Sequence, residues 1–567
     1  MRAAAVKFLK RLPLMPLRIL RLRRKAQRTL ADWRPMLAAG DWQAIRDRVA
    51  ADEGAPHVVI ATTVTGHLAA VQFDALLGVA LTLRGVRVSY IGCDAVLPAC
   101  LYDQHDWYPN RQKLTAPTGE RDVCKVCHPI GFPYLQQLGL PLLRLSALVS
   151  QQDRAMIRDT VAAVPAGDIA EFQFRGLPAG EHAMAGALRF HARADLDGVP
   201  DAEGVLRAYL RAACQTVVAS EMLAARHPFD ALVAHHGIYV PQGLWVAAAN
   251  KAEKRVVTWT PGYRRNSFVL AHGDTYHRTM ITEDAALWAN EPIAETERES
   301  LVAYLDERRR GGGDWITFGS GETSVFRESL QKLGLDANRP TIVALTSVTW
   351  DAQLHYESNA FPSQLAWIDA TIAAFRERSD VNLVIRIHPA EVTGNIPSEQ
   401  KISDYIAARH RTLPRHIAVV AADDPTNTYA LIEGADTCII YSTKTGVEIA
   451  ARGIPVVVAG EAWIRGKGFS LDATSPEHYG ELLGTLPRRG RLTPEQQERA
   501  LRYARHFFFR RMVPLPGFSA LKGFPPYRAE VGNLNELMPG ADANLDMVCA
   551  NILNGRPFLS VDQAGAA

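Results

Sequence analysis

IRIHPAE, residues 385–391, and IIYSTKTGVEIAARGIPVVVAG, residues 439–460, decide how this chain folds. The first is an apolar run that ends at His388 and Pro389. The second reads as strand, hydroxyl-rich turn, helix, Gly–Pro turn and strand. Short apolar strands alternating with helices mean a parallel sheet covered on both faces. The alternation extends back through IAVVAAD (417–423) and VNLVIRIHP (381–389) to PTIVALTSV (340–348). It recurs upstream in HVVIATTV (57–64), a helix over 65–85, VRVSYIGC (86–93), DALVAHHG (230–237) and RVVTWTP (255–261). The expected fold class is α/β, with two doubly wound, Rossmann-like domains facing a central cleft at the carboxyl ends of their strands.

The 567 residues exceed what one hydrophobic core organises, which agrees with two domains. The expected division is a basic amphipathic arm at 1–50, a first domain at 51–310 with a Cys-rich insertion at 93–130, and a linker at 311–339. A second domain follows at 340–490, then helices at 491–567 that cross back. Hydrophobic residues are 47% and charged residues 22%, ordinary globular proportions. Net charge is only +3, and it conceals an asymmetry. Ten basic side chains and no acid precede Asp32, leaving 53 basic against 60 acidic residues in the remainder. A body with that balance does not coat nucleic acid, and none is expected as a partner. The charge-free run at 231–250 is too polar to span a bilayer, and no secretory signal is read at the N-terminus. The expected location is the cytoplasm, peripheral on the inner face of the cell membrane. There the basic arm, rich in Leu and Ile, suits an anionic surface. A solvated arm, or one docked on an acidic partner, is the alternative.

The chemistry concentrates in the second domain. His388 stands just beyond a buried strand, with Arg386 two residues before it. Ser442, Thr443 and Thr445 lie at a helix start, where free N–H groups favour an anion. Glu448, one turn inside, is within reach of a ribose. Each feature has a plain structural reading, since Ser and Thr are ordinary caps and a His before Pro often only completes a turn. In this order they point to a nucleotide phosphate site.

The stretch from about 340 to 485 resembles the bacterial capsule polysaccharide biosynthesis family, which includes the Kdo transferases of capsule export systems. RIHP (386–389), YSTKTGVEIAARGIPVVV (441–458) and IRGKGFSLDATSPEHY (464–479) carry the resemblance. It implies a GT-B glycosyltransferase in which His388, Ser442 and Thr443 contact the nucleotide's phosphate. It also places Arg465, Lys467 and Gly468 in the family's post-cleft segment, where the two basic side chains would add positive charge near the donor. The expected donor is a nucleotide-activated sugar, with the family tilting toward a CMP-linked acid such as Kdo. The acceptor would be a surface polysaccharide or lipid-linked glycan. No cofactor is required for catalysis.

Acceptor-side residues are expected from the first domain. His67, in the turn TTVTGH (62–67), is a general base or merely a helix cap; Asp94 is the rival base. His235 and His236 also end a strand. Cys93, Cys100, Cys124 and Cys127 form C-x6-C-x23-C-x2-C, a candidate structural zinc site with His105 and His128 in reserve, or a set of buried thiols. The segment 502–512 is a crossing helix or a second membrane patch. Two rivals to the transferase stay open. One is a sugar-nucleotide 2-epimerase, against which stands Tyr441-Ser442-Thr443-Lys444 where an Asp-Ser-Gly-Gly turn is expected. The other is a non-catalytic assembly or export partner.

Overall fold

A computed structural model describes residues 15–108, 114, 121–316, 325–487 and 490–561. It divides into two compact units. The first holds the described residues up to His191, Leu196–Tyr276 and those from Val513 on; the second holds Ala192–Asp195 and the described residues of His277–Met512.

The first unit is built on β1 (His57–Ile60), β2 (Arg87–Gly92), β3 (Leu142–Arg144), β4 (Ala231–His235), β5 (Arg255–Pro261) and β6 (Ser267–His272). In the second lie β7 (Thr341–Leu345), β8 (Asn382–Arg386), β9 (Ile417–Val420), β10 (Thr437–Ile440), β11 (Val456–Val458) and β12 (Leu471–Asp472). β13 (Val513–Pro514) returns to the first sheet, whose order is β13-β6-β5-β4-β1-β2-β3. There β1 to β5 run parallel, and at one edge β6 pairs antiparallel with β5 and β13 pairs antiparallel with β6. The second sheet, β12-β11-β10-β7-β8-β9, is parallel throughout. Both are doubly wound, as the alternation of the sequence required. Each reverses direction beside its first strand, between β1 and β4 and between β7 and β10. Ligands of open α/β sheets bind outside the carboxyl ends of strands at such reversals.

Three expected boundaries move. The helix Glu295–Arg309 belongs to the second unit, which opens at His277 instead of 340. Its buried Leu301, Tyr304 and Leu305 face that unit's core, so no linker begins at 311. The arm is shorter than 1–50, because Trp33, Leu37, Trp42 and Val49 are buried in the first unit; residues 1–14 lie outside the described residues. The segment 502–512 stays in the second unit, where a helix (Pro494–Arg505) passes into a π turn at His506–Arg510. Phe507 and Phe508 are buried, with Phe507 packed on Trp463, so the segment offers no membrane patch.

Candidate functional site

A cavity of about 130 Å³ opens in the second unit at its sheet reversal. Thr346 follows β7, His388 and Pro389 follow β8, and Thr443, Lys444 and Thr445 follow β10; all line it with Arg308, Arg386 and Tyr429. The Thr346 hydroxyl accepts the His388 backbone N–H at 3.0 Å, which locks the turn after β8 to the end of β7.

The His388 ring is oriented by its own turn. Its Nδ1 accepts the Ala390 N–H at 3.0 Å. A neutral imidazole that accepts through Nδ1 carries its proton on Nε2. Burial, then the nearby Lys444 and Arg386, push the ring down to about 4, so it is neutral at working pH. His388 therefore presents an N–H donor on the cavity wall.

Charge on the wall comes from side chains more than from the helix that follows, since Thr445–Ala451 is only seven residues long. Arg386 is anchored at Thr428 Oγ1 (3.0 Å) and at the Ala421 carbonyl (2.5 Å). Arg308 pairs with Glu448 at 2.9 Å and with Asp314. Lys444 Nζ stands 3.8 Å from Glu448. Around these three cations stand Glu448 and Asp314, with Asp423 and Asp424 near Arg386. Burial opposes the charge of Glu448, yet Arg308 and Lys444 hold it down at about 2. Burial and Arg308 bring Lys444 down to about 8, so it loses its charge just above neutrality. Affinity for a nucleotide monophosphate is accordingly expected to fall roughly tenfold from pH 7 to pH 9.5, the loss of one charged contact. Calorimetric titration across that range checks this, and Lys444→Met should flatten the dependence.

Several expected donor residues have other tasks. Glu448 is 1% exposed and spent on Arg308 and the Tyr429 hydroxyl (2.7 Å), which corrects its assignment to a ribose. Ser442 Oγ lies 3.3 Å from Ser347 Oγ, whose hydroxyl donates to Gln364; its neighbours Thr443 and Thr445 line the cavity instead. Lys467 donates to the carbonyls of Ile281 (3.0 Å) and Glu283 (3.2 Å), and Arg465 to those of Gly460, Ala473 and Val458. Their basicity reads from sequence as donor charge, but it ties loops together. Conversely, no sequence pattern singles out Arg308, Thr346 or Tyr429, and Lys444 stands out only as part of its turn.

In the first unit, His67 caps the helix Leu68–Leu83, its Nδ1 accepting the Ala70 N–H at 3.1 Å. Its neutral Nε2 then bears the proton, which corrects the general-base assignment. Asp94 accepts the Ser146 N–H at 3.0 Å and the Ser146 hydroxyl, so both carboxylate oxygens are engaged. Cys93, Cys100, Cys124 and Cys127 line one small cavity with Arg121 and His128. Cys127 Sγ accepts the Gly66 N–H at 3.0 Å, and Cys100 Sγ accepts from Arg121 at 3.7 Å. Burial raises all four thiols, Cys127 to about 11. Among the described residues no three His, Cys, Asp or Glu side chains are grouped so as to hold a metal ion. The four thiols are buried, and a guanidinium stands at Cys100. No described helix is long and apolar enough to cross a membrane.

Residues 324–481 match the family model described as capsule polysaccharide biosynthesis protein. That span contains β7 to β12, His388 and the turn at 442–445, so the resemblance carried by those motifs holds over them. No curated protein matches the chain. Among solved structures, the β-Kdo 2,4-transferase of Thermosulfurimonas dismutans KpsC is similar at 13% identity over 55% of this chain and 88% of that one, with a TM-score of 0.32. The β-Kdo 2,7-transferase of the same protein is similar at 12% identity over 59% and 88%, with a TM-score of 0.29. Methanocaldococcus jannaschii UDP-GlcNAc 2-epimerase is similar at 10% identity over 80% and 98%, with a TM-score of 0.25. Scores this low leave function to the chain's own residues and to the matched segment.

Proposed function

We propose that this chain is a glycosyltransferase of surface polysaccharide synthesis, moving a sugar from a nucleotide-activated donor to a polysaccharide or lipid-linked glycan. The observation that carries the reading is His388: a half-buried, neutral imidazole on the wall of a cavity that Arg308, Arg386 and Lys444 also line, oriented by Ala390 so that Nε2 bears a proton. Transfer from a nucleotide sugar breaks the bond between the anomeric carbon and a phosphate oxygen, and charge builds on the departing phosphate. Donors fixed in a water-poor pocket before the reaction stabilise that charge at little reorganisation cost. His388 Nε2–H, Lys444, Arg386 and the hydroxyls of Thr443 and Thr445 are such donors.

With Asp423 and Asp424 near Arg386 the charge around the cavity has no large positive excess, which suits a donor linked through a single phosphate, as in a CMP-sugar, better than one bearing a diphosphate. Incubation with a panel of nucleotide sugars and a glycan acceptor tests the reading. Glycosylated acceptor with released nucleotide supports it, CMP-sugars being turned over before UDP-sugars. An altered sugar still attached to its nucleotide means an epimerase, and no turnover means an assembly partner.

The N-terminal helix, Met15–Thr29, supports action at a membrane surface. Ile19 and Leu22 pack toward the first unit's core and Ala26 is buried. Leu17, Leu20, Arg21, Arg24 and Arg28 are exposed. Spacings of three, four, seven and eleven from Leu17 put them on one face of the helix. An apolar and basic stripe of this kind suits the anionic inner surface of the cell membrane, where each Arg contributes about 1 kcal/mol. Replacing Arg21, Arg24 and Arg28 by Glu leaves the packed face intact. Binding to vesicles containing anionic lipid should fall roughly 100-fold or more, and parent binding should weaken as salt rises. Sedimentation with anionic and neutral vesicles measures both; unchanged pelleting would place the membrane contact elsewhere.

A further inference from the structure

Two helices of the first unit, Gln151–Ala163 and Ala202–Arg226, pack against each other and carry four arginines where they meet. Arg154 and Arg158 lie one turn apart on the first, Arg207 and Arg211 one turn apart on the second, so each pair shares a face of its helix. Arg207 fixes the register. It donates to the carbonyls of Val161 (2.6 Å) and Val164 (2.9 Å), at the end of the first helix, and pairs with Glu203 at 2.7 Å. One turn further on, Arg211 comes beside Arg158.

Three of these guanidinium groups are unspent. Arg154, Arg158 and Arg211 have no hydrogen-bond or ion-pair partner among the described residues, although Arg154 and Arg211 are half-buried. The acids of the two helices serve elsewhere. Glu203 is taken by Arg207, Asp153 closes its own helix cap through Ser150, and Asp159 lies about 100° round the helix from Arg158. Burial, then Arg158 and Arg207, push Arg211 below the ordinary arginine range. Like charges held together without a counter-charge repel, and an anion placed among them relieves the repulsion.

The arginines also stand on the ligand side of the first sheet. Two residues before Arg211, the Tyr209 hydroxyl donates to the Cys100 carbonyl at 3.2 Å, and the Leu101 N–H donates to the Val240 carbonyl at 2.8 Å. Residues 100 and 101 lie beyond the carboxyl end of β2, and Val240 beyond that of β4. Open α/β sheets receive ligands on this side.

We infer that Arg154, Arg158 and Arg211 form a docking stripe for an acidic polysaccharide, gripping its carboxylates. The inference rests on the transferase reading for its choice of a glycan, and it names the class of acceptor. A guanidinium meets a carboxylate through two parallel N–H bonds, a geometry that a neutral glycan does not offer. A lipid surface fits less well, because neither helix exposes a large apolar side chain. Nucleic acid fits less well too, since the chain beyond residue 31 holds more acidic than basic residues.

The experiment uses the full chain and reads binding by calorimetry, with polygalacturonate as the carboxylated polysaccharide and dextran as the neutral one. Polygalacturonate should bind more tightly than dextran, and its affinity should fall as salt rises. Arg154→Gln, Arg158→Gln and Arg211→Gln combined should weaken polygalacturonate binding roughly tenfold or more, with the melting point unchanged. Lysine at the same three positions keeps the charge without the planar fork and should recover only part of the affinity. Equal affinity of the parent for polygalacturonate and dextran overturns the inference, as does unchanged polygalacturonate binding by the glutamine variant. A glutamine variant that loses anionic vesicles while keeping polygalacturonate overturns it as well, and makes the stripe a membrane contact. Turnover reports separately: a parent that binds polygalacturonate through these arginines but transfers no sugar keeps the stripe and loses the transferase reading.

Discussion

Replacing His388 by alanine is expected to slow sugar transfer roughly 100- to 1000-fold, the cost of removing one fixed donor to a developing oxyanion. The second unit should remain folded, because the hydrogen bond that Nδ1 accepts is local, from the Ala390 N–H two residues away. Two further variants separate the donor role from charge. His388→Asn retains an N–H and should recover part of the rate. His388→Lys adds a positive charge to a cavity that already holds Arg308, Arg386 and Lys444, and should bind nucleotide without restoring transfer. The pH profile carries the sign. A ring held near 4 is neutral throughout the range from 6 to 9, so no limb near 6.5 should appear in the parent's profile. A limb that does appear there, and vanishes in His388→Ala, would mean that the ring acts as an acid or base instead.

The residues that sequence pattern exposed are those whose roles are local. His388 is placed by the strand before it and the proline after it, and the 442–445 turn by the strand and helix that flank it. The sheet order follows from the same alternation. What pattern could not expose is pairing across long separations. Arg308 and Glu448 are 140 residues apart, and nothing in either neighbourhood names the other. For the same reason Glu448 reads as a ribose ligand and the helix Glu295–Arg309 as the end of the first domain. Lys467 and Arg465 show the converse error, since a basic side chain in a matched segment suggests phosphate until its carbonyl partners are seen. His67 and His388 present the same composition at strand ends. Only the hydrogen bond at Nδ1 reveals that both offer a proton and neither offers a lone pair.

Glu448→Ala is expected to destabilise the second unit by about 3–5 kcal/mol, the cost of breaking a buried ion pair from one side. The Arg308 guanidinium would keep Asp314 but lose the carboxylate at 2.9 Å, and the Tyr429 hydroxyl would lose its acceptor. A thermal or urea melt of the full chain measures the change. The pH dependence follows from the folded carboxyl being held at about 2, below its unfolded value of about 4.3. A depressed acid stabilises the fold fully above the unfolded value, and that share is lost as pH falls from about 4.3 through 2. The variant's melting point should therefore approach the parent's toward pH 2 and separate from it above pH 5. Nucleotide binding decides between two roles for this side chain. Were Glu448 a ribose ligand, Glu448→Gln would lower nucleotide affinity and leave stability near the parent's. As a counter-charge to Arg308 and Lys444, it should do the reverse. Glu448→Gln removes one negative charge from the cavity wall, so the protein should melt earlier and bind a nucleotide monophosphate at least as tightly as the parent.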